Sequence, residues 1–305
     1  FPPVTNYEQL TYGDDLMALA IATNNAALNA AASASSVNRD METSMARLST
    51  GKRINSASDD AAGVAISSRL SAEIRGTDQA IRNSLDGQAL IDTAEGAHKE
   101  IENILQRMRE VAVQSANDTN NGQDRANLQA EMEAMVTEID RIAGTTTWAG
   151  ANLMDASAGT TFSFQVGSAT GAQNQIAVSI SSMNATGLGV GDGTASVVKV
   201  NDTVADDGSG DVNARTGIDL IDTAIKDVNI QRSKLGAVSN RLNHTVNNLT
   251  NISSNLSAAK GGIEDADFAL ETTNLAKNQI LQQASTAMLA QANASKQNVL
   301  SLLQG

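Results

Sequence analysis

Few residues of this chain have the type and spacing that catalysis or metal binding requires. Cysteine is absent, which excludes disulfides, thiolate metal sites and cysteine catalysis. The two histidines are isolated: His98 falls on the seam between Ala94 and Ile101 and lacks a second histidine four residues later, and His244 falls on a polar helix face. Ser58 or Asp59 is expected to cap a helix, and the pair Asp59-Asp60 suits the start of that helix better than acid–base chemistry, because no histidine or third acid accompanies it. We therefore predict no enzyme activity, no cofactor and no metal site.

Composition and charge exclude further classes of protein. A formal charge of −13 argues against a nucleic-acid partner, which would require clustered Lys and Arg. No run of 18 apolar residues is present, so no membrane partner is expected. The glycine-rich stretch 187–193 resembles a phosphate loop only superficially, because neither a Lys-Ser/Thr pair nor a helix follows it. Aromatic residues are only 2%, so a core built on Phe, Tyr and Trp is not expected.

Helical periodicity dominates the two ends of the chain. Residues 263–303 contain no proline or glycine, and their apolar residues form a narrow line, or seam, at spacings of three and four. Such a seam needs a partner helix along its length, and the Ala-rich stretch 17–50 is the candidate. We call the two lines together the polymerisation seam, which comprises Leu281, Met288, Ala292, Val299, Leu302, Met41, Met45 and Leu48.

The middle of the chain predicts further helices and a small β element. The helix expected at 61–116 has a first seam of Ile74, Ile81 and Leu85 and a second of Ile101, Leu105, Met108 and Ala112. Further helices are expected at 122–144 and from about 217 to Gly261-Gly262. The last of these carries a seven-residue repeat, which we call the rod seam: Val228, Leu235, Leu242, Leu249 and Leu256. Residues 162–166 and 176–180 alternate with period two and predict a β-hairpin. Residues 187–211 are acidic and glycine-rich and are expected to form an exposed loop.

These patterns predict a mainly α fold: a long antiparallel coiled-coil rod of N- and C-terminal helices with a small β-hairpin tip. Residues 1–16 form an N-terminal extension, disordered or non-native. Residues 17–58 and 262–305 form a terminal coiled-coil domain. Residues 59–144 and 215–261 form a helical rod domain, and residues 145–214 contain the hairpin and a variable loop.

Several motifs resemble those of bacterial flagellins. They are ARLSTGKRINSASDDAAG at 46–63, LQRMREVAVQSAN at 105–117, EIDR at 138–141, IEDADF at 263–268 and the closing LLQG. They occur in the family's order and at both ends of the chain. Hook–filament junction proteins share the terminal helices but match the first two motifs less well.

The resemblance implies a structural subunit that is exported unfolded by the flagellar type III apparatus. It implies self-assembly into a hollow helical polymer for motility, with the mature protein secreted into the extracellular flagellum. The implied partners are other copies of the chain, the flagellar cap and hook-junction proteins, and an export chaperone on the C-terminal helix. It also implies an innate-immune Toll-like flagellin receptor as a partner.

The receptor contact of the family maps onto Arg107, Val111, Gln114 and Glu131. The second of these is commonly Leu in the family, and the shorter Val111 is expected to weaken recognition. The same residues suit contacts between neighbouring subunits equally well. The 16 residues before Met17 depart from the family pattern, and with the acidic middle loop they favour an alternative: a cell-surface binding or adhesin-like homologue.

Overall fold

The computed structural model describes residues 24–155, 160–192, 196–201 and 209–304. The chain divides into two units: a terminal unit of Phe1–Ser67 with Gly261–Gly305, and a central unit of Ser68–Lys260. The elements in chain order are α1 Asn25–Thr50, α2 Ala61–Ser115, α3 Gly122–Thr145, β1 Thr147–Trp148, β2 Ala151–Asn152, β3 Thr160–Gln165, β4 Gln175–Ile180, α4 Gly210–Glu264 and α5 Phe268–Gln304. The mainly α fold class with a small hairpin is therefore confirmed. No helix among the described residues is long and apolar enough to cross a membrane.

In the terminal unit, α1 and α5 pack antiparallel. Asn24 caps α1 by accepting a hydrogen bond from the Ala27 amide, and its own side-chain amide donates to the carbonyl of Ala292 at 3.1 Å. Further along, the Gln282 amide donates to Asn38 at 2.7 Å. The helix α1 ends at Gly51, whose φ of 71° is the left-handed conformation that glycine adopts without strain. The predicted extension at 1–16 and the predicted helix start at Met17 lie outside the described residues.

The loop after Gly51 is hydrogen-bonded to the segment where α4 ends and α5 begins. The Arg53 amide donates to the Glu264 carbonyl at 2.6 Å, and the Ala266 amide donates to the Gly51 carbonyl at 3.0 Å. The Lys52 ammonium forms an ion pair with Glu264 at 2.9 Å. We call this arrangement the clasp. It joins two stretches of backbone that are more than 200 positions apart in sequence.

The two aspartates predicted to begin a helix have separate roles. Asp60 is the cap of α2, since its carboxylate accepts the Gly63 amide at 2.8 Å. Asp59 instead accepts the amides of Asn55 and Ser56, and these hydrogen bonds lower the pKa of its carboxyl group. The sequence placed the cap at Ser58 or Asp59, one or two residues early, because an Asp-Asp pair offers two equivalent candidates.

The central unit is built on α2, α3 and α4, each with one buried line at alternating spacings of three and four. On α2 this line is Thr77, Ala80, Ser84, Gly87, Ile91, Ala94, His98, Ile101, Leu105, Met108, Ala112 and Ser115. Of the predicted first seam, Ile74 and Ile81 are half-buried beside this line, whereas Leu85 is 48% exposed. Small side chains occupy the inner line there, so the larger apolar residues misled the sequence interpretation.

The helix α4 follows the predicted seven-residue repeat. Val228, Leu235, Leu242 and Leu249 are buried, and Leu256 is half-buried. The helix is longer at both ends than predicted: it begins at Gly210 rather than near Gly217 and continues through the paired glycines to Glu264. Glycine lowers helix propensity by only about 1 kcal/mol per residue, which surrounding contacts can offset.

The predicted hairpin forms as β3 and β4, with Phe162 opposite Val178 and Phe164 opposite Ile176. The segment after it differs from the prediction of an exposed loop, because Leu188, Val190, Val198 and Val200 are buried. These alternating apolar residues pack on the central unit, and the Val200 amide donates to the buried Gln129 at 2.9 Å. The remainder of the predicted loop includes 193–195 and 202–208, outside the described residues.

Candidate functional site

The terminal unit has almost no core of its own. Within its described residues, the buried hydrophobic side chains are Ala30 and Ile54, whereas the central unit buries Leu, Ile, Val and Met along three helices. Burial of apolar area is the main source of folding stability, at about 25 cal/mol per Å². A lone copy of this unit therefore gains little from its α1–α5 contact.

The residues that α1 and α5 turn toward each other are mostly small or polar. The partly or fully buried line on α5 is Glu271, Leu275, Asn278, Gln282, Ser285, Leu289 and Ala292. The corresponding line on α1 is Ala27, Ala30, Ala34, Val37, Met41, Ser44 and Leu48. Of the predicted polymerisation seam, Met41, Leu48 and Ala292 thus lie within the α1–α5 contact.

The large apolar side chains of α1 and α5 mostly point away from that contact. Leu281 is 40% exposed, Met45 is 55% exposed and Met288 is 66% exposed. The sequence interpretation placed these three side chains between α1 and α5. In the structure, the residues that face the other helix are their immediate neighbours in sequence, so these three do not pair the two helices. The side chains of Val299 and Leu302 lie outside what the structure describes. Further exposed apolar residues of these two helices are Leu28, Phe268, Leu270 and Ile280.

An exposed cluster of charges surrounds Arg107 on α2. Its guanidinium donates to Glu131 of α3 at 2.9 Å and to Glu110 at 3.0 Å. These hydrogen bonds, of which the one to Glu131 has the larger effect, raise the pKa of Arg107. Gln114 is exposed on the same helix. The structure therefore brings three of the four residues suggested for receptor contact to one surface.

Val111, the fourth of those residues, is fully buried. It lies beside Met108 and Ala112 in the core of the central unit, so it cannot be a surface contact in this conformation. The sequence analysis predicts that Val111, which is shorter than the Leu common in the family, weakens receptor recognition. The buried position of Val111 does not support such an effect through direct contact. A side chain four residues from Arg107 lies on the same side of the helix. It can still be buried when it lies next to the inner line, as Val111 does.

His98 is the unusual titratable group of the central unit. It is completely buried on the inner line of α2, and neither ring nitrogen has a hydrogen-bond partner there. Burial lowers the pKa of His98 to about 4; the nearby Ala94 carbonyl opposes the shift and the Arg232 guanidinium adds to it. Arg232 of α4 is itself paired with Glu102 and Glu95 of α2. Sequence reasoning placed His98 on the seam. It missed the ion pairs of Arg232 with Glu102 and Glu95, because no sequence motif marks these residues.

No group of three or more His, Asp or Glu side chains within the described ranges could hold a metal ion. A groove of about 580 Å³ in the central unit is lined by Glu73, Arg241 and His244, among other residues. These residues make no recorded hydrogen bond to one another, so we assign them no catalytic role.

Two family models match the chain. The bacterial flagellin N-terminal helical region matches residues 21–159, and the bacterial flagellin C-terminal helical region matches residues 218–303. A flagellin of Halalkalibacterium halodurans is 46% identical over 260 residues, covering 85% of this chain and 90% of that protein. A flagellin of Bacillus subtilis is 43% identical, covering 92% of this chain and 98% of that protein.

A solved structure shares the fold. It is a putative flagellar hook-associated protein from Vibrio parahaemolyticus, with a TM-score of 0.55 and 14% identity, covering 68% of this chain and all of that one. The helix pattern, the poorly cored terminal unit and the two matched regions agree with one another. The chain belongs to the bacterial flagellin family, the structural subunits of the flagellar filament.

Proposed function

We propose that the terminal unit is the self-assembly element of this subunit, and that its outward apolar residues are buried only between copies. The observation that carries the proposal is a contrast within that unit. Its described residues bury only two hydrophobic side chains, Ala30 and Ile54, whereas α1 and α5 expose seven large ones. Exposed apolar surface of this extent is typical of protein–protein interfaces rather than of monomers. The described terminal helices thus suit a polymer better than a free chain.

Assembly is tested by removing the outward apolar side chains without touching the α1–α5 contact. The double variant Leu281→Asn, Met288→Gln should fail to form filaments, because both side chains lose their interface contacts. The matched control is Val197→Asn in the central unit, where the side chain is comparably exposed, at 45%. Filaments are counted by electron microscopy after seeding. Normal filaments from the double variant would refute the proposal.

Export and localisation follow from the family rather than from any contact in the structure. We propose that the chain is exported unfolded by the type III apparatus, with a chaperone on α5, and is secreted into the extracellular flagellum under the cap protein. The exposed apolar residues of α5 support the chaperone, because an unassembled chain would need that face covered. A pull-down with α5 carrying Ile280→Asn and Leu281→Asn should lose the chaperone that the unaltered chain retains.

A second function is supported by the charged cluster of α2 and α3. We propose that Arg107, Gln114 and Glu131 form the contact for an innate-immune flagellin receptor, since all three are exposed and two are joined by a hydrogen bond. The variant Arg107→Ala should reduce receptor activation about tenfold or more. Arg109→Ala is the matched control, because Arg109 is similarly exposed and paired with Asp222 at 2.6 Å. Equal effects of both variants would contradict a specific contact.

A further inference from the structure

The sulfur atoms of this chain are distributed unevenly between core and surface. The chain has nine methionines and no cysteine, and all of the methionines except Met17 lie within the described residues. Most of these are buried or half-buried, namely Met41, Met108, Met132, Met135, Met154 and Met183. The exposed ones are Met45 of α1, at 55%, and Met288 of α5, at 66%. An oxidant in solution therefore reaches these two thioethers before those of the core.

Both exposed methionines belong to the terminal unit and point away from the α1–α5 contact. The residue that faces α5 beside Met45 is Ser44, and it is buried. The residue that faces α1 beside Met288 is Leu289. Leu281 lies seven residues before Met288, two helical turns away on the same face, and is itself 40% exposed. The two thioethers thus lie among the outward side chains that we propose to be covered by neighbouring copies.

A methionine thioether reacts with a hydroperoxide without prior deprotonation, because the sulfur lone pair is the nucleophile. The sulfur attacks one peroxide oxygen, so that an S–O bond forms while the O–O bond breaks. The leaving hydroxide or alkoxide takes up a proton and departs as water or an alcohol. Sulfur loses two electrons, the peroxide gains them, and the product is methionine sulfoxide. The chain has no cysteine thiolate that would consume the oxidant first.

Oxidation changes the character of the side chain and leaves the backbone as it was. The thioether is apolar and flexible, whereas the sulfoxide carries a strongly polar S–O group that accepts hydrogen bonds. On the free chain that group is solvated by water, but in an apolar contact between copies it would be buried without a donor. Chains that carry sulfoxides at these positions are therefore expected to stay unassembled, while the core of the central unit keeps its thioethers.

We propose that Met45 and Met288 are modification sites, at which a hydroperoxide forms sulfoxides and thereby blocks assembly of the free chain. The inference rests on the proposed self-assembly and adds a chemical control to it. The control acts before assembly only, because filaments cover both sulfur atoms and the free chain does not. Since methionine sulfoxide reductases reduce both epimers of the product, the block is reversible.

The first test measures where and how fast the sulfur atoms react. The dilute chain and filaments are exposed to hydrogen peroxide, and the added oxygen is located by mass spectrometry of peptides. In the dilute chain, Met45 and Met288 should be oxidised at least tenfold faster than the core residues Met108 and Met132, and in filaments their oxidation should slow at least tenfold.

The outcomes of this test separate the inference from the proposed function. Equal rates for the exposed and core methionines of the dilute chain would overturn the inference and leave the proposed self-assembly untouched. Filaments in which Met45 and Met288 react at the dilute rate would contradict both. Failure of the untreated chain to form filaments would overturn the proposed function.

The second test shows whether these two sulfur atoms carry the effect on assembly. Peroxide treatment, followed by removal of the oxidant, should raise the critical concentration of the unaltered chain at least tenfold, and reductase treatment should restore it. The double variant Met45→Leu, Met288→Leu keeps apolar side chains of similar volume and should assemble equally well before and after peroxide. The matched control Met135→Leu, Met183→Leu removes two sulfur atoms of the central unit and should stay as sensitive as the unaltered chain. If peroxide blocks the Met45/Met288 variant as it blocks the unaltered chain, or if the reductases restore nothing, the proposal is wrong.

Discussion

At the scale of single residues, the side chains that resemble catalytic groups have structural roles. Asp59 and Asp60 hold a loop and a helix start, and His98 is a core residue of α2. The sequence could predict the general position of all three, because helix caps and seam positions follow from local patterns. It could not predict that both ring nitrogens of His98 lack partners, since this depends on which side chains from other parts of the chain pack around it.

The buried histidine predicts a specific pH dependence of the central unit. Its pKa is about 4 in the folded chain against 6.5 as its ordinary value, so between these pH values the unfolded state binds a proton that the folded state does not. Stability from this group is fully present above about pH 6.5 and is lost as the pH falls toward 4. The loss is on the order of 3 kcal/mol, at 1.36 kcal/mol for each pKa unit.

The variant His98→Leu should remove this dependence, because leucine neither titrates nor leaves unpartnered nitrogens. Urea unfolding of the central unit measured from pH 7 to pH 4 should show a smaller loss of stability in the variant than in the unaltered chain. His244→Leu, at an exposed position, is the control and should behave like the unaltered chain. Identical pH profiles for His98→Leu and the unaltered chain would contradict the assignment.

Gly63, in the first turn of α2, lies where a side chain would collide with its surroundings. A Cβ atom at this position would lie 2.5 Å from the capping carboxylate of Asp60 and 2.6 Å from Ile54 Cδ1. Gly63→Ala should therefore loosen the cap and speed amide exchange in residues 55–64. Gly96→Ala in the same helix meets nothing within 4 Å and should leave that exchange unchanged. If both alanine variants exchange at the same rate, the close contact does not constrain the loop.

At the scale of elements, the sequence predicted the helices and the hairpin well where large apolar residues mark the inner face. The line from Ile101 to Ala112 and the repeat from Val228 to Leu249 are both buried as expected. The prediction failed where the inner face is made of Ala, Ser and Gly, as on the first half of α2. It failed again at residues 187–211, because glycine and acidic residues suggested an exposed loop while four apolar side chains pack inward.

Close packing of that segment on α4 depends on Gly217. A Cβ atom there would lie 2.9 Å from Val198 Cγ1, so Gly217→Ala forces the segment away and should destabilise the central unit by about 1–3 kcal/mol. Gly236→Ala in the same helix meets nothing within 4 Å and should stabilise by about 0.5–1 kcal/mol through helix propensity. Chemical denaturation measures both. A stabilising Gly217→Ala would show that the segment does not pack there.

At the scale of the whole molecule, the two units differ in how they gain stability. The central unit has a continuous hydrophobic core, whereas the described part of the terminal unit exposes most of its large apolar side chains. The Ala-rich helix and the narrow seam already indicated that α1 and α5 bury little apolar area per residue. The sequence nevertheless placed Leu281, Met288 and Met45 between the two helices, whereas the structure exposes them. It could not show which face of α5 meets α1, since the inner line has three residues of the types Asn, Gln and Ser and only two Leu.

Hydrogen exchange of backbone amides can be compared between a dilute unassembled sample and filaments. The comparison tests whether the terminal unit, unlike the central unit, needs neighbouring copies for its stability. In the dilute sample, amides of α1 and α5 should exchange at least a hundredfold faster than those of the buried lines of α2 and α4, because opening the terminal helices exposes little additional apolar surface. In filaments, the protection of α1 and α5 should rise to that of the central unit. Equal protection of all four helices in the dilute chain would contradict the account.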